Sequence, residues 1–416
     1  MLNKLFIALL FFYFQVNAQE LLSFQVNSGD FDRIDCPIAI KIQLDNHKSQ
    51  AKNIQLVEVG EFSKKSIPFQ FDENDTNKLW FILHGFTPKH TIRNFVIIHE
   101  SNKENIQQID LIKRDGALQL IKNNNPILNY HYKIEFPPKG VDEKYKKSGF
   151  IHPLWSPNGE ILTRIQPPDH YHHYGIWGPW TKTHINNREV DFWNLAKGQG
   201  TVLFKSFKNE IQGNIYSGFI ALQEYIDFGA SSKNRVALNE DLQIKVWNLN
   251  SSNKNWLIDY TTKIKSPLKS GILFDAYRYG GGIGFRATEK WNKDNTSVLT
   301  SENKDRSTAD GSRGKWVIVE GASETPEGKS GILFMSHPQN RQFPEPMRVW
   351  PKDMNKGRGD LFFEFCPIRH VEWPIESQKE YHLKYRLLVY EGKLKSDQAE
   401  IYWQGFANPP EIKINN

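Results

Sequence analysis

Apolar and polar residues alternate with period two through most of this chain, and that pattern restricts it to extended strands. Ile38, Ile40, Ile42 and Leu44 are separated by Ala39, Lys41 and Gln43, and similar alternation recurs in Tyr130 to Ile134, Leu242 to Val246 and His382 to Tyr390. Successive strand side chains point to opposite faces, so such runs read as half-buried sheet. Clusters of Gly, Asn, Asp and Pro separate them, and no segment sustains a helical period beyond about three turns. The chain is therefore expected to be mainly β. A small N-terminal β-sandwich is expected over 19–114, closed to within about five residues by the turn signal Lys113-Arg114-Asp115-Gly116. A large antiparallel β-sandwich or set of packed sheets follows over 115–408, with 409–416 as a tail. Glu289 to Arg313 is polar and poor in apolar residues, which predicts a long surface loop bordering a binding site.

Residues 1–18 have the form of a signal peptide: Lys4, an apolar run from Leu5 to Phe14, then Val16-Asn17-Ala18 as a small-residue cleavage site. The reading is export to the periplasm or outside the cell, without membrane insertion, since no later stretch approaches twenty apolar residues. Two cysteines, Cys36 and Cys366, are far apart in sequence and are expected as buried thiols rather than a bridge. The formal charge of +6 is spread along the chain without a basic block, which argues against a nucleic acid partner. Twelve Trp and 27 Phe on a mildly basic chain suit a protein that handles anionic sugars.

Folding alone does not call for the composition of 152–193. Five histidines (His152, His170, His172, His173 and His184) fall there within about thirty residues, beside Trp155, Trp177, Trp180 and Trp193. Read as an extended run, Asp169 to Trp177 puts His170 and His172 on one face and Tyr171 and His173 on the other. The pair suits general acid–base work, because histidine titrates near neutral pH. A second reading makes them ligands of a divalent metal completed from elsewhere, although no spacing such as HExxH is present. No cofactor motif is found, and none is expected. Further along, Tyr279, Gly280 to Gly282 and Arg286 combine glycines that allow close backbone approach with a guanidinium suited to a carboxylate or sulfate. A structural bulge is the competing explanation for the glycines. His337, Arg341 and Arg348 are candidates of lower weight.

HPLWSPNGEILTRIQPPDHYHHYGIWGPW, followed by VDFW, resembles the bacterial PmoA-like family. The likeness continues through Tyr279-Gly280-Gly281, His337-Pro338-Gln339-Asn340 and Tyr385 to Gly392, covering about Asp115 to Gly392. The resemblance implies a galactose-mutarotase-like β-supersandwich and a role in bacterial polysaccharide degradation. The resemblance also implies, as an analogue, a member that dehydrates the uronic-acid ends of ulvan oligosaccharides in marine Bacteroidetes.

A dehydratase on such an anionic oligosaccharide removes the C5 proton, alpha to the carboxylate, and expels the C4 hydroxyl. His170 or His172 is expected as base. Tyr174, another motif histidine such as His173, or Tyr279 is expected as acid, and Arg286 or Arg278 as the carboxylate clamp. Trp177, Arg278, Tyr279, His337 and Arg341 are expected to bind substrate. The alternatives are a mutarotase or epimerase, a non-catalytic glycan-binding protein, and a glycosidase using Glu224 with Asp275 or Asp227.

Overall fold

The computed structural model describes residues 19–42, 53–100, 106–231, 235–249 and 254–415; the leader-like segment 1–18, with Gln43 and Leu44, lies outside the described residues. The chain is mainly β, and its sheets are built from antiparallel pairs. No described helix is long and apolar enough to cross a membrane.

The N-terminal unit is a two-sheet sandwich. Five strands, ordered Glu411–Asn415, Glu20–Asn27, Ile92–His99, Ile54–Val59 and Lys64–Ile67, face three, ordered Arg33–Lys41, Lys78–Thr87 and Phe69–Phe71. The alternation seen at Ile38 and Ile40 buries both, with Phe24, Leu56, Phe81 and Phe95. One boundary falls within about five residues of the sequence reading, the range given to it, and the other differs from it. Asp110–Arg114 pairs with Ala117–Lys122 inside the large unit, so the sheets divide the chain before Asp110. Asp115 and Gly116, at φ 50° and 85°, form the two-residue turn of that hairpin. The segment read as a tail, in turn, supplies an edge strand beside Glu20–Asn27.

Two large sheets form the second unit. One has nine strands, Arg313–Gly314, Glu345–Val349, Phe362–Phe365, Ile283–Arg286, Ile176–Trp177, Phe150–Leu154, Asn125–His131, Ala117–Lys122 and Asp110–Arg114. The other has eight, Gly200–Ile211, Tyr216–Asp227, Val236–Trp247, Asn255–Lys265, Glu380–Glu391, Lys329–Ser336, Trp316–Ala322 and Thr296–Thr300. Their inner faces share one core, in which the Phe334 ring lies 5.3 Å from Phe285 and 4.9 Å from Phe363. Losing one such buried aromatic side chain costs about 3–5 kcal/mol. Thr296–Thr300 falls within the stretch read as a loop, so only part of 289–313 is irregular.

Alternation then decides what lies outside. On the nine-stranded sheet Ile176, Phe285 and Phe363 point inward, which sends Trp177, Arg286 and Phe362 outward. Register sets Arg286 opposite Phe362 and Ile176 opposite Phe285. The outward residues are covered by the loop that carries the histidines. Gly175 permits that loop to seat, because at φ 61° a Cβ there would sit 2.2 Å from the Ile151 carbonyl oxygen. Both cysteines are free and buried, Cys36 in the small sandwich and Cys366 in the large unit.

Candidate functional site

The histidine run is a pair of turns, not a strand. His170 N–H donates to the Pro167 carbonyl and His173 N–H to the His170 carbonyl. Two successive prolines, Pro167 and Pro168, start the turn by fixing φ and removing amide donors. The expected segregation of His173 from His170 and His172 is therefore overturned. All three rings converge, with centroids 4.8 Å (170 to 173), 4.9 Å (172 to 173) and 5.4 Å (170 to 172) apart.

Each imidazole has a different environment. His173 is 1% exposed, neither ring nitrogen has a hydrogen-bond partner among the described residues, and it is packed by Trp177, Trp193, Trp350 and Phe362. Burial, with His172, Arg286 and His170 nearby, pushes its pKa well below the usual value and keeps it neutral. His172 is pushed down to about 4, by burial first and then by His170. His170 is the ring held by a carboxylate. Its Nδ1 donates to Asp169 Oδ2 at 2.7 Å, which directs Nε2 away from the carboxylate.

Asp169 is itself fixed from behind. Arg286, 1% exposed, donates from Nη2 to Asp169 Oδ2 at 2.8 Å and to Asp360 Oδ2 at 3.0 Å, and its guanidinium lies 4.7 Å from the Trp350 ring centre. Burial opposes ionisation of Asp169, but the bonds from His170 and Arg286 prevail and hold its carboxyl well below the usual range. Burial lowers the Arg286 pKa to about 10, still far above neutral. Asp360 also pairs with Arg358 and accepts from Asn355. Buried Arg306 holds this loop, donating to the carbonyls of Trp350, Gly359 and Asp360 at 3.0, 2.6 and 2.7 Å. The polar segment 289–313 thus borders the site, as expected, by anchoring its wall.

His170 and Asp169 open onto a groove of ≈ 600 Å³ lined also by Arg164, Glu289, Lys356 and Arg358. Arg164 pairs with Glu289 at 3.0 Å, and Lys356 is exposed. The lining carries three cations, Arg164, Lys356 and Arg358, against two carboxylates, Asp169 and Glu289, a balance that suits a carboxylate or sulfate.

Other candidates lie elsewhere or are already engaged. Tyr174 is fully buried; its hydroxyl donates to the Tyr145 carbonyl and accepts from Gln166 Nε2 at 2.7 Å, and burial raises its pKa. Trp177 is a wall of the His173 pocket at 2% exposure. Tyr279 packs against Trp193 at 5.3 Å, its hydroxyl accepting from Arg348 and Trp350 Nε1, and exposed Arg278 lies over its ring. His337, pushed down to about 4 by burial, stacks edge-on against Phe406 of the helix Ser396–Ala407. Arg341 lies over Trp373 and lines a groove that none of the motif histidines lines. Gly280 to Gly282 serve packing: a Cβ at Gly281 would sit 2.0 Å from the Phe365 carbonyl oxygen.

Each carboxylate proposed for a glycosidase is engaged by a basic side chain. Glu224 pairs with Lys205, Asp227 with Arg188, and Asp275 with His184 at 2.9 Å. Among the described residues no group of three or more His, Cys, Asp or Glu is arranged to hold a metal ion. VDFW proves architectural, with buried Asp191 accepting from the amides of Trp193 and Asn194 and so seating Trp193 beside His172. Sequence reasoning missed the roles of Asp169, Asp360, Arg164 and Arg358. Only Asp169 carried a signal, a carboxylate immediately before a candidate base.

Among solved structures the chain is similar to the heparan sulfate lyase HepC from Pedobacter heparinus, at 11% identity and a TM-score of 0.33 over 71% of this chain and 38% of that one. It is also similar to a heparinase III, at 11% identity and a TM-score of 0.32 over 72% of this chain and 38% of that one. The chain thus spans well under half the length of those proteins. No curated protein matches it. Residues 117–404 match the model of DUF6807, a family of unknown function, and the chain belongs to that family.

Proposed function

We propose that the protein is a carbohydrate-active dehydratase acting on the terminal uronic acid of an anionic oligosaccharide, with ulvan-type oligosaccharides as the first candidates. The observation that carries this reading is the Arg286–Asp169–His170 relay opening onto a groove with Arg164, Lys356 and Arg358. The motif resemblance to PmoA-like sequences supports the substrate class.

In this reading the sugar carboxylate sits among Arg164, Lys356 and Arg358, whose charge stabilises the enolate-like state formed when C5 is deprotonated. His170 Nε2 takes the C5 proton, Asp169 stabilises the imidazolium, and the same nitrogen returns the proton to the departing C4 oxygen. The C5–H and C4–O bonds break, a C4–C5 double bond forms, and water leaves. The reaction is redox-neutral and calls for no cofactor. Arg286 takes a positioning role rather than the clamp expected from the sequence, because it is buried and its Nη2 is shared by two carboxylates. The leader-like segment 1–18 supports an exported setting.

Mass spectrometry and ultraviolet absorbance of uronate-ended oligosaccharides incubated with the protein test the proposal. A product lighter by one water, with the absorbance of an unsaturated uronate, is expected. A gain of water with release of a sugar makes the protein a glycosidase, and a change of anomeric composition at constant mass makes it a mutarotase or epimerase.

A further inference from the structure

The outer face of the eight-stranded sheet changes character along its strands. In Glu380–Glu391 the outward residues run Tyr390, Leu388, Arg386, Lys384, His382 and Glu380, and in Asn255–Lys265 they run Leu257, Asp259, Thr261, Lys263 and Lys265. The apolar end, with Trp247 and Tyr216, packs beneath Trp80 of the N-terminal sandwich and Trp403 of the C-terminal helix. The polar end is left open. Two grooves, of ≈ 720 and ≈ 370 Å³, meet there at Glu380.

Five cations line the joined grooves, Lys208, Lys263, Lys265, Lys384 and Arg341, against two carboxylates, Asp241 and Glu380. Asp241 is held by Lys208 at 2.6 Å and Lys263 at 3.3 Å, and Glu380 by Lys263 at 3.5 Å. Lys265, Lys384 and Arg341 have no carboxylate partner among the described residues. At one end the groove reaches the sandwich edge, where Trp373, 5% exposed, and half-buried Tyr381 pack on the shared core beside Arg341. A net positive, elongated track matches a chain that repeats anionic groups. Its lysine-lined part, on the outer face of the eight-stranded sheet, lies across the shared core from His170.

We infer that this open half of the sheet is a second, non-catalytic binding track for anionic polysaccharide, holding the parent polymer while the groove at His170 acts on chain ends. The identification of the polyanion as a glycan rests on the function proposed above; the charge and shape of the track do not.

Affinity electrophoresis of the full chain through gels containing alginate, an unsulfated polyuronate, or neutral dextran tests it. The native protein is expected to be retarded by alginate and not by dextran, the more weakly as salt rises. The double variant Lys263→Glu/Lys265→Glu, checked by thermal melting, and Lys384→Glu on the neighbouring strand are expected to lose retardation, whereas His170→Ala keeps it. Retardation of the lysine variants equal to native, its loss in His170→Ala, or native protein that alginate does not retard overturns the inference. Failure of the dehydratase reading shows separately, as alginate retardation that persists without any product one water lighter from uronate-ended oligosaccharides.

Discussion

Trp177, Arg286 and Phe362 point out from the nine-stranded sheet, yet none is more than 2% exposed, whereas Lys263, Lys265, His382 and Lys384 on the eight-stranded sheet stand in or near solvent. Both faces come from the same alternation. The difference is the cover: a loop of histidines and tryptophans closes over the first, and the N-terminal sandwich stops halfway across the second. Charge acts differently under the two conditions. Beneath the loop, one guanidinium fixes Asp169 and through it His170, because a low local dielectric strengthens each bond and makes an unpaired partner costly. In the open, Lys263 and Asp241 are screened, and such pairs contribute about 0–1 kcal/mol.

The largest effect expected from breaking this contrast is kinetic. His170→Ala should lower turnover by about a hundred- to ten-thousandfold while leaving the denaturation midpoint near native, since a ring 31% exposed is removed without opening the core. Steady-state rates and urea titration on the same preparation check this.

Next is the buried charge. Arg286→Met should cost about 3–5 kcal/mol in urea denaturation, because Asp169 and Asp360 lose their shared counter-ion.

A pH effect follows from His172. Its pKa falls from an unfolded value of about 6.5 to about 4 in the fold, so the unfolded chain binds the extra proton between those values. The stability this group contributes is fully present above about pH 6.5 and is lost as pH falls towards 4, by on the order of 3 kcal/mol. His173 acts in the same direction. Urea midpoints at pH 7 and pH 4.5 should therefore separate more for native protein than for His172→Gln.

The smallest effects belong to the open face. Lys263→Ala and Lys265→Ala should each change stability by less than about 0.5 kcal/mol, as calorimetry can read.

How much of this was legible in the sequence follows the same division. Alternation specified the sheets, down to which of Ile38 and Lys41 is buried, because a strand's period depends only on local geometry. The density of His and Trp at 152–193 marked the site. What alternation could not supply was the path of the loop itself: Pro167 and Pro168 turn it, so a period-two reading sent His173 the wrong way. Arg286 was singled out, but its partners were not, since Asp169 and Asp360 lie 117 and 74 residues from it, on loops that meet its strand only in the folded chain. Arg164 and Arg358 had no local pattern to mark them. The Asp115-Gly116 turn looks the same in sequence whether it closes a hairpin or ends a domain, and the structure chooses the hairpin.

The measurement that bears most directly on the central claim is the mass of the products formed from one uronate-ended oligosaccharide by native and His170→Ala protein side by side. The account predicts a product one water lighter from the native chain and unchanged substrate from the variant. Equal loss of water from both would contradict it.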